Sequence, residues 1–334
     1  MREGAWQIAF GTHALLSPGV EFARLGLVVV DEQHRFGVRQ RSQLAEKGDA
    51  PNVLVMSATP IPRTLSLILY GDLDVSVIDE LPPGRKPVST RIVPESKRAD
   101  MYGFLRREAQ AGRQIYVVCP LIEESEAVDA KPAEEIYEFL RTQALSDLRV
   151  ELVHGRMRPA DKDAVIAAFA RGEVDVLVST TVIEVGVNVP NASVMVIENA
   201  ERYGLSALHQ LRGRVGRGSV SGTCLVMTHS KGNGGASAAQ DRLQSLEKTL
   251  DGFTLAQMDL RLRHEGEILG YRQHGGVTLR FVDLDADEEL IEWAHLDALE
   301  LLRYACNLDS VATRPLRDAV AMRYRHIFKE VSGG

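Results

Sequence analysis

Short apolar runs that alternate with amphipathic stretches set the pattern of this chain. Leu25–Val30 and Val53–Met56 are rich in β-branched residues and end abruptly at Asp31 and Ser57. Runs of this length and composition are typical of strands in a parallel sheet with both faces covered. We therefore expect both segments to be strands that are buried on two faces.

A second alternating block follows a turn-rich break at 82–84 and Pro87, which predicts a domain boundary. Its apolar runs predict strands at Ile115–Val118, Val150–Val153, Val176–Val178, Val194–Ile197 and Cys224–Met227. Apolar residues at helical spacing predict helices over Glu134–Ala144 and Asp161–Arg171. Alternation of strands and helices indicates βαβ units and a doubly wound parallel sheet.

The last third of the chain has a mostly helical pattern. It follows a flexible Lys-Gly-Asn-Gly-Gly link at 231–235 and contains predicted helices over Ala239–Leu250, Leu290–Ala305 and Leu316–Val331. We expect the leucine positions of the second helix to be core. The pattern as a whole predicts three domains, at 1–86, 87–232 and 233–334.

Composition excludes several classes of protein. The chain has 334 residues, 45% hydrophobic and 25% charged, which is typical of a globular protein rather than a disordered or collagen-like one. A net charge of -7 means that any nucleic-acid contact must come from local basic patches. No apolar run approaches the ~20 residues that span a bilayer. Three widely separated cysteines suggest neither a zinc site nor a disulfide framework, and favour a reducing cytoplasm.

Polar residues follow both strands of the first block. Asp31-Glu32-Gln33-His34 places two carboxylates where parallel sheets bind ligands. One carboxylate suits Mg²⁺ and the other suits the orientation of a water that attacks a γ-phosphate; the alternative is two solvated carboxylates. The hydroxyl groups of Ser57-Ala58-Thr59 can form hydrogen bonds to neighbouring carboxylates. The alternative is that this segment is only a turn whose hydroxyl caps a helix.

Two further segments carry candidate chemistry in the second block. Residues 210–218 (QLRGRVGRG) hold three arginines at steps of two and three. Guanidinium groups suit the charge of a γ-phosphate, as in an arginine finger, whereas the alternative is a solvated basic helix end. Residues 180–190 (TTVIEVGVNVP) are typical of a loop that contacts a nucleotide or a nucleic-acid backbone. Taken alone, the segment predicts a loop and no function.

Each of these motifs is weak alone, but the ordered set resembles the superfamily 2 helicases. The resemblance is narrower to the RecG family of that superfamily. It is carried by GTHALL at 11–16, VVDEQHRFGVRQR at 29–41, MSATPIPRTL at 56–65 and DGFTLAQMDLRLRHEGEILGYRQHG at 251–275. Similarity extends over essentially the whole chain.

This resemblance implies an α/β fold with RecA-like parallel sheets. Residues 1–86 would be the C-terminal part of a first motor lobe, 87–232 a complete second lobe, and 233–334 a translocation hairpin with a mainly helical region. The implied activity is ATP-dependent helicase and translocase action on branched DNA, at stalled forks and Holliday junctions, in repair and recombination. The implied cofactors are ATP and Mg²⁺. The implied protein is a cytoplasmic monomer without membrane contact, and single-stranded DNA-binding protein is a further partner.

The resemblance also implies roles for individual residues. Asp31 would bind Mg²⁺ and Glu32 would activate water, while Arg214 or Arg217 would be the arginine finger. Further nucleotide-site candidates are Gln33, His34, Gly186 and Gln210. Residues implied to contact DNA or to couple it to the ATP site are Thr12, Ser57, Thr59, Thr180, Thr181, Arg261, Arg263, Arg272 and Gln273.

The chain departs from the family pattern at its front. No GxxxxGK[ST] phosphate loop is present, since the sequence has no Gly-Lys pair. We therefore expect only the C-terminal portion of a RecG protein, starting partway through the first lobe and leaving an exposed sheet edge. His264-Glu265 stands where the family usually has Gly-Pro.

Two other functions stay open at this point. The transcription-repair coupling translocase has a similar hairpin, but should also carry a polymerase-binding module, which nothing in this chain resembles. A non-catalytic remnant that binds DNA or a partner is motivated by the missing phosphate loop. ATP turnover discriminates the enzyme from the remnant.

Overall fold

The computed structural model describes residues 2–32, 47–58, 74–80, 82, 84, 86–120, 131–180, 189–218, 220–228, 236–262, 282–283, 286–305 and 308–323. Side chains are described at all of these except 13, 131, 236–238 and 260–262. The chain divides into two compact units, residues 1–60 and 61–334. The domain boundary predicted at 86/87 stays a prediction, because most of residues 59–85 lie outside the described part.

The first unit contains a parallel pair of short strands. Strand β1 (Leu27–Val30) pairs with β2 (Asn52–Val55) in direct register. Val28 and Val30 are buried, whereas Leu27 and Val29 are 58% and 52% exposed. The prediction that these strands are buried on two faces is therefore wrong. Successive side chains of a strand point to opposite faces, and only one face of this pair is packed.

The second unit is built on a parallel sheet of six strands. These are β3 (Ser89–Pro94), β4 (Gln114–Val118), β5 (Val150–Val153), β6 (Val176–Ser179), β7 (Ala192–Ile197) and β8 (Thr223–Thr228). Their spatial order is β3-β8-β7-β4-β6-β5, and every neighbouring pair is parallel. This confirms the predicted doubly wound α/β sheet.

Helices alternate with these strands and continue beyond them. They are α1 (Arg98–Gln110), α2 (Lys131–Phe139), α3 (Pro159–Ala170), α4 (Leu205–Arg212), α5 (Ala236–Lys248), α6 (Gly252–Leu262), α7 (Glu288–Tyr304) and α8 (Arg314–Arg323). Alternate residues of β4 enter different cores: Tyr116 packs with α3 to α6, and Val117 with α1 and α2. None of the helices described here has the length and apolar character needed to cross a membrane.

Sequence patterns missed some elements and misplaced others. Strand β3 and helix α1 were not predicted. Strand β3 lies at a sheet edge and has no continuous apolar run, since exposed and buried residues are mixed along it. The helix predicted over Glu134–Ala144 is α-helical only to Phe139 and continues as a π-helical turn over Leu140–Ala144. The end of the helix predicted to Val331 and the link at 231–235 lie outside the described residues.

Helix α7 contradicts the prediction that its leucines are core. No residue of α7 is buried, and Leu290, Trp293 and Leu296 are each more than half exposed. Helical spacing correctly placed apolar residues on one face. Such spacing identifies a face and not the surface that covers it, which explains the error.

The turn that follows α4 lies so close to Pro190 that there is no space for a side chain at Gly218. Gly216 has φ +71°, a backbone conformation that glycine adopts readily. A Cβ at Gly218 would lie 2.3 Å from the carbonyl oxygen of Pro190, which precedes β7. The absence of a side chain at Gly218 therefore allows residues 210–218 to pack directly on the end of the 180–190 segment.

A buried ion pair joins α1 to the carboxyl end of β7. Arg98 donates from Nη1 and Nη2 to the two carboxylate oxygens of Glu198, at 2.7 and 2.8 Å. Arg98 also bonds to Glu95 and Tyr102, while the Glu198 side chain is 2% exposed. Burial lowers the pKa of Arg98, but the bonds to Glu198 and Glu95 outweigh this effect and raise it above its ordinary value. Glu198 therefore depends on Arg98 for compensation of its buried charge.

Substitution of Glu198 tests this dependence. Glu198→Gln should lower the free energy of unfolding by about 3 kcal/mol, because it removes the buried charge that pairs with the partly buried Arg98 and leaves that guanidinium only Glu95 and Tyr102. The measurement is urea unfolding of the whole chain followed by circular dichroism. The matched control is Glu138→Gln, whose partner Arg141 forms an exposed pair, and it should change little. Equal losses of unfolding free energy in the two variants would contradict the claim that the buried pair stabilises the fold more than the exposed pair.

Substitution of Gly218 tests the close approach of the two turns. Gly218→Ala should destabilise the fold by about 1–3 kcal/mol, because its Cβ would meet backbone atoms of Pro190. Gly103→Ala is the control, since Gly103 lies inside α1 and a Cβ there meets no atom closer than 3.7 Å. It should be neutral or stabilising because alanine favours helix. Melting temperatures measure both, and a neutral Gly218→Ala would refute the steric argument.

Candidate functional site

The carboxyl end of β1 carries the predicted acidic pair. Asp31 is exposed, and its Oδ1 accepts a hydrogen bond from the Glu32 amide at 2.9 Å. Glu32 is half-buried and has φ +55°, a left-handed conformation that is uncommon outside glycine. Such a conformation costs about 1–3 kcal/mol and is found mainly at functional sites. The bond from its own amide to Asp31 helps to hold Glu32 in this conformation.

The chemistry of this strand end fits a magnesium ion. Asp31 presents an exposed carboxylate, and within the described residues nothing donates to its second oxygen. No three His, Cys, Asp or Glu side chains of the described residues form a metal-binding cluster. Mg²⁺ usually keeps several waters and takes only one or two protein carboxylates beside substrate phosphates. A single carboxylate oxygen at a strand end therefore suits that ion.

Two hydroxyl residues of the same unit were also predicted to be functional. Ser57 is exposed just beyond β2, and the Met56 amide donates to the Val30 carbonyl at 2.8 Å, so Ser57 lies at the same sheet edge as Asp31. Thr12 is exposed and precedes a 3₁₀ helix over His13–Leu16, without a side-chain capping bond. Both hydroxyl groups are therefore displayed on the surface of this unit.

The second unit has its topological switch point at β4. From β4 the chain continues to strands on one side of it, β5 and β6, and then to strands on the other side, β7 and β8. Ligands of such sheets bind at the carboxyl ends of the strands beside this point. Thr180 follows β6 and Glu198 follows β7 at this edge. Thr180 is 1% exposed, so the structure does not present its hydroxyl as a surface group. Glu198 was missed by the sequence reasoning, although a polar residue just after a buried strand is the signal that identified Asp31.

Helix α4 positions the arginine-rich segment. Its Leu205, Leu208 and Leu211 are buried in the core on the α3–α6 face of the sheet, and this fixes the orientation of the helix. Gln210 and Arg214 are half-buried, whereas Arg217 is exposed. The Arg217 Nε donates to the Gly213 carbonyl at 3.1 Å, which holds that side chain against the end of the helix.

The charges of Arg214 and Arg217 both reach β4. Burial raises the pKa of Tyr116 in β4 to about 12, and these two charges oppose the rise. Guanidinium groups suit the charge of a polyphosphate.

The third arginine of the segment has a different environment. Arg212 is 3% exposed, and its guanidinium donates to backbone carbonyls of Leu246, Thr249 and Leu250. Burial lowers the pKa of Arg212, because desolvation penalises the charged form. The sequence pattern could not separate Arg212 from its neighbours, since all three arginines lie within six residues.

The remaining predicted site residues are not placed. Arg261 lies near the end of α6, and its side chain is not described. The others lie outside the described residues: Gln33, His34, Thr59, Thr181, Gly186, Arg263, Arg272 and Gln273. Their roles stay predictions.

Comparisons with known proteins agree on one family. Residues 96–219 match the helicase conserved C-terminal domain. The chain is 50% identical over 324 residues to the ATP-dependent DNA helicase RecG of Synechocystis sp., a match that covers 97% of this chain and 38% of the relative. It is 52% identical over 293 residues to the ATP-dependent DNA helicase RecG of Escherichia coli, covering 86% of this chain and 42% of that protein.

A solved structure shares the fold. The structure of RecG bound to a three-way DNA junction is 47% identical, with a TM-score of 0.65, and the match covers 85% of this chain and 36% of that chain. This match confirms the predicted RecA-like sheet followed by a helical region. The chain spans about two fifths of the length of the curated relatives it matches. On this similarity the chain corresponds to the C-terminal portion of the RecG helicases that it matches.

Proposed function

We propose that this chain is the motor portion of an ATP-dependent DNA helicase and translocase that remodels branched DNA. The supporting observation is 50% identity to a RecG helicase over 97% of the chain, with an acidic pair at β1 and an arginine pair after α4. The substrates we propose are stalled forks and Holliday junctions in repair and recombination. A monomer in the cytoplasm, with single-stranded DNA-binding protein as a further partner, completes this proposal.

Family resemblance assigns roles in ATP hydrolysis to four residues and to a neighbouring glutamine. Asp31 would hold Mg²⁺, and the bound ion would neutralise charge on the phosphates of ATP. Glu32 orients the attacking water and accepts its proton, in a direction set by its left-handed backbone. Arg214 and Arg217 stabilise the negative charge that develops on the transferred phosphoryl group, and Gln210 lies four residues before Arg214.

DNA contacts and coupling complete the proposed mechanism. Thr12 presents an exposed hydroxyl group that suits a hydrogen bond to the DNA backbone. Family resemblance assigns Thr180 and Thr181 to the same role, although the Thr180 side chain is buried in this structure. It assigns Ser57 and Thr59 to the coupling of the ATP site to DNA. Gln33, His34 and Gly186 are assigned to the ATP site on the same ground, and Arg261, Arg263, Arg272 and Gln273 to the translocation hairpin.

The test uses a chimera, since the sequence contains no GxxxxGK[ST] loop. This chain replaces the matched portion of the Synechocystis relative, and ATP hydrolysis and unwinding of a three-way DNA junction are measured. Both activities are expected in the chimera. A chimera with a native circular-dichroism spectrum that binds junction DNA without hydrolysing ATP would favour the non-catalytic binding remnant instead.

Glu32→Gln tests the assigned base. The DNA-stimulated rate of ATP hydrolysis by the chimera should fall about 10²–10⁴-fold, because the amide cannot accept the proton of the attacking water. Nucleotide binding should change little. The matched control is Glu21→Gln, which alters an exposed carboxylate of the same unit that pairs with Arg2. Unchanged hydrolysis in Glu32→Gln would refute the role of this carboxylate.

Arg217→Ala tests the assigned arginine finger. The kcat of ATP hydrolysis should fall about 10³–10⁵-fold, because a finger acts on charge that develops in the transition state. The dissociation constant of a nonhydrolysable ATP analogue should rise far less. Arg202→Gln, at an exposed arginine before α4, is the control. Equal losses in turnover and binding would show that Arg217 binds the nucleotide without acting as a finger.

A further inference from the structure

Arg212 connects α4 to the end of α5 and to the residues that lead into α6. Its Nη1 donates to the carbonyl oxygens of Leu246 and Thr249, at 2.8 and 2.7 Å. Its Nη2 donates to the Leu250 carbonyl at 3.2 Å and lies 2.9 Å from Nδ1 of His209. Since guanidinium has no acceptor, His209 Nδ1 accepts this bond. The side chain therefore leaves α4 and ends among the carbonyls that close α5.

The position of these carbonyls explains why an arginine is suited to the site. Helix α5 ends at Lys248, and the last carbonyls of a helix have no intrahelical donor and carry partial negative charge. A planar guanidinium with five donors satisfies several of them from one point, which the single ammonium of a lysine does less well. Arg212 thus caps the C-terminal end of α5 from another helix.

The other end of the same turn is also capped. Asp251 accepts hydrogen bonds from the amides of Phe253 and Thr254, at 3.2 and 2.9 Å, where α6 begins. The bond from the Thr254 side chain is the largest of the effects that lower the pKa of Asp251, so this cap stays ionised. Residues 249–251, here named the α5–α6 joint, are therefore held by Arg212 on one side and by Asp251 on the other.

Apolar packing supports the same connection. Leu208 and Leu211 of α4, Leu246 of α5 and Leu255 of α6 are all buried in one cluster. Arg212 is buried beside this apolar contact, and its guanidinium donates to carbonyl oxygens of the α5 end. The three helices therefore share both a core and a polar connection.

We propose that Arg212 is a positioning residue that makes α4 and α6 move as one body through the α5–α6 joint. This inference rests on the proposed function, in which Arg214 and Arg217 respond to the nucleotide and α6 begins the DNA-translocating segment. Arg212 transmits displacements of α4 to α6 and takes no part in phosphate binding. The two arginines that follow it act on the nucleotide, so the segment 210–218 performs two separate tasks.

Amide hydrogen exchange on this chain tests the joint without any need for activity. Arg212→Gln should accelerate exchange of the Phe253, Thr254 and Leu255 amides by about tenfold, and leave the β7 amides of 194–197 unchanged. Arg212→Lys should have a smaller effect, and the exposed control Arg202→Gln should have none. Unchanged α6 amides would overturn the proposal. Equal acceleration in β7 would also overturn it, because Arg212 would then support the whole unit.

The coupling between hydrolysis and movement is the second readout. In the chimera, Arg212→Gln should keep ATP hydrolysis within about twofold of the parent, while base pairs unwound per ATP fall about tenfold. A merely structural role would lower both activities together, and that result would overturn the proposal. Unwinding that stays coupled would overturn it as well. If the parent chimera does not hydrolyse ATP, the proposed function fails, and amide exchange alone decides whether the joint exists.

Discussion

The central constraint on the second unit is that its parallel sheet is covered on both faces. All five residues of β4 are buried, so side chains that could meet a ligand from solvent are confined to the ends of the central strands. Thr180 and Glu198 each follow such a strand directly. The same core fixes α4, which precedes Arg214 and Arg217. Burial of the sheet is thus what places the candidate site.

The buried strands could be predicted from sequence because their local pattern and their final environment agree. Strands β4 to β8 were located within one or two residues from β-branched runs. Edge strand β3 was missed because its alternating pattern resembles a loop as much as a strand. The apolar face of α7 was recognised, but not its exposure, because burial depends on what lies against a face. Local periodicity therefore gives elements and faces, while tertiary contact decides burial.

The candidate site shows the same division. Motif order singled out the acidic pair and the arginine segment. The acidic pair follows a strand that the pattern had located, whereas α4, which precedes the arginines, was not predicted. It could not identify the separate function of Arg212, because three arginines within six residues are chemically identical until the fold assigns them partners. It also missed the pairing of Arg98 with Glu198, which are separated by 100 residues and brought together only by the sheet. Long-range partners are the part of a site that sequence patterns do not contain.

The left-handed backbone of Glu32 has a consequence for how this family can evolve. A side chain on a strained backbone is aimed when the chain folds, so little orientational entropy is lost when substrate arrives. Replacement by glycine would relieve the strain and favour the folded state, yet it would remove the carboxylate. With the role proposed for Glu32, stability and activity have opposite requirements at this position. A variant library selected only for thermal resistance should lose Glu32 early, whereas one selected for turnover should keep both the residue and its strain.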